Sequence, residues 1–370
     1  MHLQNLQLSN FKNYTEAKIS LCPEVNCFVG NNGAGKTNIL DAVYYLSFTK
    51  SYFNAIDQQN IFHHKEFFSI EGNFVKGTIE ENVRVLVQNG ARKSVKVNNN
   101  EHKKFSDHIG LYPLVIITPD DIMLIHEGSE DRRKFLDGMI SQTDKIYLND
   151  LIQYNRVLEQ RNKQLRIFSE MNFFDRALLD SFNEQLIGYG NAIYKKRRSF
   201  LESFIPVFKK YFLNIVSSVE TPDLIYKSDL NETGFESLLS ISENNDLSAQ
   251  RTTKGIHKDE LEFFIGDHPL KKFGSQGQQK SFIISLKLAQ FEYLQQTTGI
   301  KPLLLLDDVF EKLDDLRLQK LLWMMSHDSF GQIFITDTNL ERLKNVFTKM
   351  QNIEVKYFGV TKGSVKEVAN

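Results

Sequence analysis

The stretch from Gly30 to Thr37 has the spacing G-x-x-x-x-G-K-T. Glycines at such positions let successive backbone N–H groups turn inward and form a concave anion site. The lysine supplies a positive charge to the β- and γ-phosphates of a nucleotide, and the hydroxyl that follows it is a ligand for Mg²⁺. The residues predicted to bind the phosphates are Gly30, Asn31, Asn32, Gly33, Ala34, Gly35, Lys36, Thr37 and Asn38.

Two carboxylates follow the apolar run at residues 303–306. A continuous apolar strand that ends in acids is typical of a buried parallel strand carrying a metal ligand. Asp307 is therefore predicted to hold Mg²⁺, directly or through water, together with Thr37. Asp308 is predicted to polarise the water that attacks the γ-phosphate, which makes Lys36 and Asp308 the predicted catalytic residues. Strand-end aspartates also cap helices, so this interpretation depends on the phosphate loop upstream.

The elements that position these residues are predicted from hydrophobic spacing. Residues 25–29 form a short buried strand before the loop. After the loop, apolar residues recur at helical spacing, so the positive end of a helix faces the phosphates. Alternation in residues 3–21 predicts two strands joined by a turn. Lys12, in that turn, is either a solvated lysine or a second phosphate contact.

Antiparallel sheet is predicted between residues 67 and 97. A strand pattern at 67–75 is followed by alternating valines on both sides of Asn89-Gly90. This dipeptide predicts a hairpin with a type I′ turn, because that turn needs a positive φ at both central residues. The apolar run at 114–117 predicts a further short, buried strand.

A long helical region follows these strands. Helical periodicity extends from about 145 to 210, whereas the polar stretch 220–250 predicts loops and short elements that return to the first domain. Lys and Arg outnumber Asp and Glu between 145 and 210, and the basic run at 195–198 is part of this surplus. Such a run is either a solvated helix face or a contact to a phosphate backbone.

Whole-chain composition limits the function classes. The 370 residues allow two domains, or one large domain with an insertion. The formal net charge of −1 means that any nucleic-acid surface must be local. Cys22 and Cys27 are too few for a disulfide framework or a zinc site. The N-terminal residues lack signal-peptide features and no apolar run is long enough to cross a bilayer, which predicts a cytoplasmic protein without a membrane partner.

A third motif precedes the last long helix, at residues 274–280. Taken alone, this stretch fits a helix start, with Ser275 as the N-cap and Gly277 easing the turn. The order of the motifs along the chain indicates more. A phosphate loop, a helical insertion, a Ser-x-Gly-Gln helix, an Asp-Asp strand and a Leu-Asp turn at 313–314 follow one another, which is the layout of ABC-type ATPase heads.

Within that class the chain resembles the RecF recombination-mediator family over nearly its whole length. The motifs that carry the resemblance are Asn10-Phe11-Lys12-Asn13-Tyr14, Gly30 to Asn38, Thr118-Pro119-Asp120-Asp121, Arg132-Arg133-Lys134-Phe135-Leu136-Asp137, Gln160-Arg161-Asn162, Gly274 to Gln279, and Leu304 to Asp314. The resemblance implies an α/β fold: an ABC-type ATPase head, made of a P-loop NTPase sheet plus an antiparallel β subdomain, with an inserted, mostly helical lobe. The expected boundaries are 1–125 and 251–370 for the two halves of the ATPase lobe, and 126–250 for the helical insertion.

The resemblance also implies function. Two subunits of an ABC-type head sandwich two nucleotides, so ATP and Mg²⁺ are the expected cofactors and the expected assembly is an ATP-dependent homodimer. Ser275 and Gly277 would then reach the γ-phosphate bound by the partner subunit, with Gln278 and Lys12 also among the nucleotide-binding residues. RecF-like proteins bind double-stranded DNA near single-strand gaps and act with RecR and RecO to promote RecA loading.

Departures from the family and class patterns refine these expectations. Asp308 stands where many ABC-type enzymes carry a longer Glu, which predicts slow hydrolysis suited to a switch. The strand that ends at Asp337 lacks the histidine that is typical of many ABC-type proteins. The Asp120-Asp121 turn is the candidate for the Gln loop. Residues 255–260 differ from the family's usual Gly-Pro-His-Arg-Asp-Asp pattern. The alternative function is an ABC-type head that does not act on DNA, for example one associated with a transporter. A nuclease would need a separate carboxylate cluster, which the sequence does not provide.

Overall fold

The protein, seen here in a computed structural model, is described at residues 1–216, 221–309, 320, 330–348, 350 and 353–368. The chain divides into two compact units. The first consists of Met1–Asp121, Asn214–Val216 and Ile283–Asn370, and the second of Ile122–Leu213 and Ser217–Phe282. The predicted turn at 313–314 lies outside the described residues.

An antiparallel sheet forms one layer of the first unit. Its strands are β1 (His2–Phe11), β2 (Tyr14–Ser20), β4 (Phe67–Lys76), β5 (Ile79–Gln88), β6 (Ser94–Val97) and β7 (Asn100–Glu101), in the order β2-β1-β4-β5-β6-β7. Alternate side chains such as Leu6, Leu8, Val83 and Val85 are buried. This alternation is what a sheet with one covered face requires.

A second, mainly parallel sheet carries the motifs. Its strands are β3 (Val25–Val29), β8 (Leu114–Ile117), β12 (Leu303–Leu306), β13 (Ile333–Asp337), β14 (Val355–Thr361) and β15 (Ser364–Val368), in the order β15-β14-β3-β13-β12-β8. All neighbouring pairs are parallel except β14 with β15. Every residue of β8, β12 and β13 is buried, because both faces of these strands are covered. The carboxyl ends of the parallel strands meet at one edge, where α/β sheets bind ligands.

Helix α1 (Lys36–Phe48) follows the phosphate loop and is buried along most of its length. Its apolar side chains form one hydrophobic cluster with those of the antiparallel sheet and of the parallel strands. The start of the helix, and with it the loop, is fixed by packing on both sheets. Helix α9 (Leu340–Phe347) also lies in this unit.

The second unit is mostly helical. Its helices are α2 (Met123–His126), α3 (Ser129–Thr143), α4 (Lys145–Met171), α5 (Arg176–Ile215), α6 (Phe235–Ala249) and α7 (Leu270–Phe273), and α8 (Gln276–Thr298) begins in it. A small antiparallel sheet has the order β11-β10-β9, with β9 (Pro222–Lys227), β10 (Glu260–Ile265) and β11 (His268–Pro269).

The stretch 220–250 was predicted to form loops and short elements, and it contains the short strand β9, but the 15-residue helix α6 was not predicted. Phe235, Leu238 and Leu239 are buried at helical spacing within an otherwise polar sequence. Since β9 pairs with β10, the chain from 251 to 282 belongs with the second unit. The helical insertion was expected to end at residue 250, and the second unit extends further.

The predicted type I′ turn at Asn89-Gly90 is also wrong. Gly90 has a φ of 72°, but Asn89 has no positive φ. The β5–β6 ladder ends at Leu86 opposite Ser94, so a longer loop closes this hairpin. The two-residue turn with positive φ at both positions comes next, at Asn98 (49°) and Asn99 (66°), between β6 and β7.

Candidate nucleotide-binding site

The phosphate loop connects β3 to α1 with a backbone that requires its glycines. Gly33 and Gly35 have φ values of 77° and 115°, in the left-handed region that favours glycine. A Cβ on Gly30 would lie 2.3 Å from the carbonyl oxygen of Val360. Asn31, Asn32 and Gly33 are exposed at the tip of the loop, where a ligand has access to it.

Three hydrogen bonds hold the loop from outside. Asn13 Nδ2 donates to the carbonyl oxygen of Ala34 at 3.0 Å, and the Tyr14 hydroxyl donates to that of Gly35 at 3.0 Å. The backbone N–H of Gly363, in the β14–β15 turn, donates to the Ala34 oxygen at 3.3 Å. Burial raises the pKa of the Tyr14 hydroxyl, so it keeps its proton and remains a donor at neutral pH.

These positioning residues were missed by sequence reasoning. The only sequence signal for Asn13 and Tyr14 is the family motif at residues 10–14, in which they follow Lys12 directly. Gly363 gave none, because its contact with the loop joins two distant parts of the chain.

Lys36 begins α1 and turns its side chain back onto the loop. Its Nζ atom donates to the carbonyl oxygens of Gly30 at 2.8 Å and Asn31 at 3.4 Å. The positive end of the α1 dipole lies at the same place. Asn38, in the first turn, donates through Nδ2 to Asn13 Oδ1 at 2.8 Å.

Asp307 and Thr37 are neighbours in space. Thr37 Oγ1 lies 3.0 Å from Asp307 Oδ1 and 3.1 Å from Oδ2. Thr336, from the intervening strand β13, donates through Oγ1 to Asp307 Oδ1 at 2.7 Å. Burial raises the pKa of the Asp307 carboxyl, although the two threonine hydrogen bonds oppose this effect. A nearby cation would favour the ionised form.

The donor set fits Mg²⁺. This hard cation prefers oxygen ligands and is usually held by one or two carboxylates together with substrate phosphates and water. A carboxylate and a hydroxyl side by side at the end of a phosphate loop supply such ligands. Within the described residues, no group of three or more His, Cys, Asp or Glu side chains forms a separate metal site.

Asp308 has an unusual backbone conformation. Its φ is 46°, and its N–H donates to Thr336 Oγ1 at 2.9 Å. In the described part of the chain, the Asp308 Oδ1 atom is buried without a hydrogen-bond partner. A non-glycine residue in this region persists where its surroundings fix it, and such residues cluster at functional sites.

Lys12 is not a solvated lysine. Its Nζ atom lies 2.7 Å from Oδ2 of Asp41, a fully buried residue of α1. Asp41 also accepts hydrogen bonds from Ser51 Oγ at 2.6 Å and the Tyr52 N–H at 2.7 Å. Lys12 therefore joins the β1–β2 turn to the helix that follows the phosphate loop, and its contact with phosphate stays a prediction.

In the turn that is the candidate for the Gln loop, Asp121 makes buried contacts within the first unit. Asp121 is buried, pairs with Lys287 Nζ at 2.5 Å and accepts a hydrogen bond from the Tyr52 hydroxyl at 2.9 Å. Asp120 is exposed. Asp337, which lacks a following histidine, is buried and pairs with Arg342 of α9 at 2.6 Å.

In the second unit, Ser275 and Gln278 form a capping box. Ser275 Oγ accepts from the Gln278 N–H at 3.2 Å, and Gln278 Oε1 accepts from the Ser275 N–H at 2.6 Å. The N-cap interpretation is therefore what this chain shows. Ser275 is exposed at the positive end of α8. The predicted phosphate contacts of Ser275, Gly277 and Gln278 remain proposals.

The basic run at 195–198 is only partly a surface. Arg197 is 1% exposed and forms ion pairs with Asp137 at 2.9 Å and Asp259 at 3.0 Å. Lys196 pairs with Asp144 at 2.6 Å. Arg197 is thus a core residue of the second unit, and the charge run overstates the exposed positive surface.

Comparison with known proteins gives the family. The family model described as RecF/RecN/SMC N terminal domain matches residues 2–362. The DNA replication and repair protein RecF of Flavobacterium johnsoniae is 49% identical over 346 residues, 94% of this chain and 96% of that protein. The chain belongs to the RecF family. The RecF of Phocaeicola vulgatus is 44% identical over 369 residues, which are 99% of this chain and 98% of that protein.

Solved structures agree with this assignment. The structure of the recombination mediator protein RecF-ATP in the RecFOR pathway has a TM-score of 0.89 and 31% identity, and it covers 100% of this RecF-family chain and 98% of that chain. An Smc head domain from Pyrococcus furiosus has a TM-score of 0.57 at 17% identity over 99% of this chain and 96% of that chain, and it supports the fold alone. The predicted ABC-type head with a helical lobe is confirmed. Among the described helices, none has the length and apolar character to span a membrane.

Proposed function

We propose that the chain is an ATP-dependent, DNA-binding recombination mediator of the RecF type. It binds double-stranded DNA near single-strand gaps as an ATP-induced homodimer. With RecO and RecR it promotes RecA loading in the cytoplasm, during recombinational repair, replication and the SOS response. Membership of the RecF family supports this proposal, as does the solved RecF-ATP relative.

The observation that carries the proposal is the approach of Thr37 to Asp307, 3.0 Å between hydroxyl and carboxylate. The two residues are 270 positions apart in sequence and meet at the carboxyl edge of the parallel sheet. Thr37 and Asp307 would hold Mg²⁺, which neutralises phosphate charge when bound. Lys36 and the N–H groups of the phosphate loop bind the phosphates, with Lys12 as a further contact.

Asp308 accepts a hydrogen bond from the attacking water in this proposal. Its fixed backbone, held by Thr336 at 2.9 Å, supports a defined position for the carboxylate. A positioned base contributes roughly 10²–10⁴-fold to a rate, and the shorter Asp side chain lies farther from the water than Glu would. We therefore propose a slow ATPase that acts as a switch.

Ser275, Gly277 and Gln278 complete the nucleotide site of the partner subunit. The capping box fixes the backbone at the start of α8, and the exposed positive end of this helix suits a γ-phosphate. A site made of two copies explains why ATP would be needed for dimerisation.

Lys36→Ala tests the nucleotide site. We expect the variant to lose ATP-dependent dimerisation, measured by light scattering, and ATP-dependent binding of duplex DNA, measured by fluorescence anisotropy. Lys18→Ala is the control, because the Lys18 side chain is 67% exposed. If Lys36→Ala still dimerised and bound DNA with its ATP dependence intact, the site assignment would be wrong.

Ser275→Arg tests the contact between copies. The variant should bind ATP as the unaltered protein does, because Ser275 does not serve the site of its own copy, yet it should stay monomeric. A normal ATP-induced dimer would count against the proposal.

A further inference from the structure

One end of the antiparallel sheet carries a group of exposed basic residues that the nucleotide site does not use. We call this surface the basic sheet end, and it consists of Lys50, Lys65, Arg92, Lys103 and Lys104. All five lie in loops of the first unit, beside the start of β4, the end of β5, the start of β6 and the end of β7.

Backbone and side-chain contacts tie these loops together. Phe67 pairs with Gln88, and the Asn89 N–H donates to the Glu66 oxygen at 2.9 Å, which brings Lys65 to the loop that contains Arg92. Arg92 Nη2 donates to the carbonyl oxygen of Lys103 at 3.0 Å. The positive charges therefore form one surface rather than scattered sites.

A neighbouring lysine holds the remaining loop. Lys93 Nζ donates to the Thr49 oxygen at 2.6 Å and pairs with Asp57 at 2.7 Å. These bonds place Lys50, the residue after Thr49, at the same end of the sheet. Lys93 is neutralised by Asp57 and acts as scaffold, so we do not count it in the surface.

The basic side chains of this surface outnumber the exposed acids on the same segments. In the described part of the chain, Lys65, Arg92, Lys103 and Lys104 form no ion pair, and the exposed acids on the same segments are Glu66, Glu101 and Asp107. The whole chain has a net charge of −1, so the positive field is local. Phe67, 40% exposed, adds an apolar side chain to the surface.

The dimensions suit a nucleic acid. Neighbouring strands lie about 4.8 Å apart, so the end of β4–β5–β6–β7 extends over about 14 Å. A B-form duplex presents one charge per about 1.7 Å of axis, or about eight charges over that length. By contrast, in the basic run at 195–198 Arg197 is buried and paired with Asp259, and Lys196 is paired with Asp144.

We propose that the basic sheet end binds the phosphate backbone of duplex DNA. The inference rests on the proposed DNA-binding function and assigns that function to a surface of the first unit. Contacts of this kind position DNA without reading its sequence, so binding is expected to be sequence-independent and to weaken steeply with salt.

The test uses the full chain with ATP, a fluorescent duplex and a salt series. The sheet-end variant carries Arg92→Ala, Lys103→Ala and Lys104→Ala. We expect at least a tenfold loss of affinity near physiological salt, and a log–log salt slope shallower by about 0.9 for each phosphate contact removed. ATP binding and ATP-induced dimerisation should be unchanged, which also shows that the variant is folded.

The matched control removes the same charge from the second unit, with Lys163→Ala, Arg166→Ala and Lys195→Ala, three exposed helix residues. It should keep both affinity and slope near those of the unaltered chain. Lys103→Arg with Lys104→Arg should also keep them, because charge is preserved.

Three results would overturn the inference. If the sheet-end variant bound DNA with unaltered affinity and slope, the surface is wrong. If the control lost binding instead, DNA lies on the helical unit, and the proposed function survives without this surface. If the unaltered chain with ATP did not bind duplex DNA at all, the proposed function and the inference fail together.

Discussion

Removing the Asn13 side chain tests how the phosphate loop is kept in shape. Asn13 Nδ2 donates to the Ala34 oxygen at 3.0 Å, and Asn13 Oδ1 accepts from Asn38 Nδ2 at 2.8 Å. Each hydrogen bond contributes about 1 kcal/mol net, so Asn13→Ala removes about 2 kcal/mol that favours the observed loop. If the lost ~2 kcal/mol destabilises only the nucleotide-bound state, affinity for ATP decreases about thirtyfold, since 1.4 kcal/mol is a factor of ten.

The assay is a titration of the purified variant with a fluorescent ATP analogue and Mg²⁺, alongside thermal unfolding to confirm the fold. Tyr14→Phe is the graded control. It keeps the buried ring and removes one bond to the Gly35 oxygen, so affinity should fall about fivefold. A folded Asn13→Ala variant that bound within twofold of the unaltered chain would refute the reasoning, because the loop would then hold its shape without Asn13.

Two further predictions concern stability. Burial lowers the pKa of His257 to about 4 from an ordinary value of 6.5, so the unfolded chain binds a proton that the folded chain does not, and stability is lost as the pH falls through this window. This pKa difference corresponds to about 3 kcal/mol of unfolding free energy lost between pH 7 and pH 4. In the His257→Asn variant, the unfolding free energy should fall by about 3 kcal/mol less over the same pH range. A variant with the same pH profile as the unaltered chain would contradict this. Lys287→Met leaves the buried Asp121 without its cation and should cost about 3 kcal/mol in denaturant unfolding. Asp121→Leu added to it should recover part of that loss, and a single variant costing under about 1 kcal/mol would show that the pair is unimportant.

The parts of the fold that sequence predicted are those in which local pattern and burial agree. The strands β8 and β12 are buried on both faces, so each appears as four consecutive apolar residues. The phosphate loop needs glycine at positions with positive φ, and this requirement is visible in the sequence itself. The order of the motifs predicts that Thr37 and Asp307 share one site, and their side-chain oxygens are 3.0 Å apart.

The parts that sequence could not predict depend on contacts between distant residues. Helix α6 is mostly polar, so its sequence resembles that of a loop. Its few apolar side chains are buried because the helix packs against α4, a contact between distant parts of the chain. Arg197 looks like one member of a basic run, and only its pairing with Asp137 and Asp259 shows that it is buried. Asn89-Gly90 has the composition of a tight turn, but the β5–β6 register selects a longer loop.

The most direct test of the account mixes two variants. Lys36→Ala and Ser275→Arg should each fail to dimerise with ATP when alone. A mixed pair of the two variants would contain one intact site, with Lys36 from one copy and Ser275 from the other. We therefore predict that mixing restores an ATP-dependent dimer that holds one nucleotide, measured by light scattering with labelled ATP. A mixture that stays monomeric, as each variant alone does, would contradict a site shared between copies.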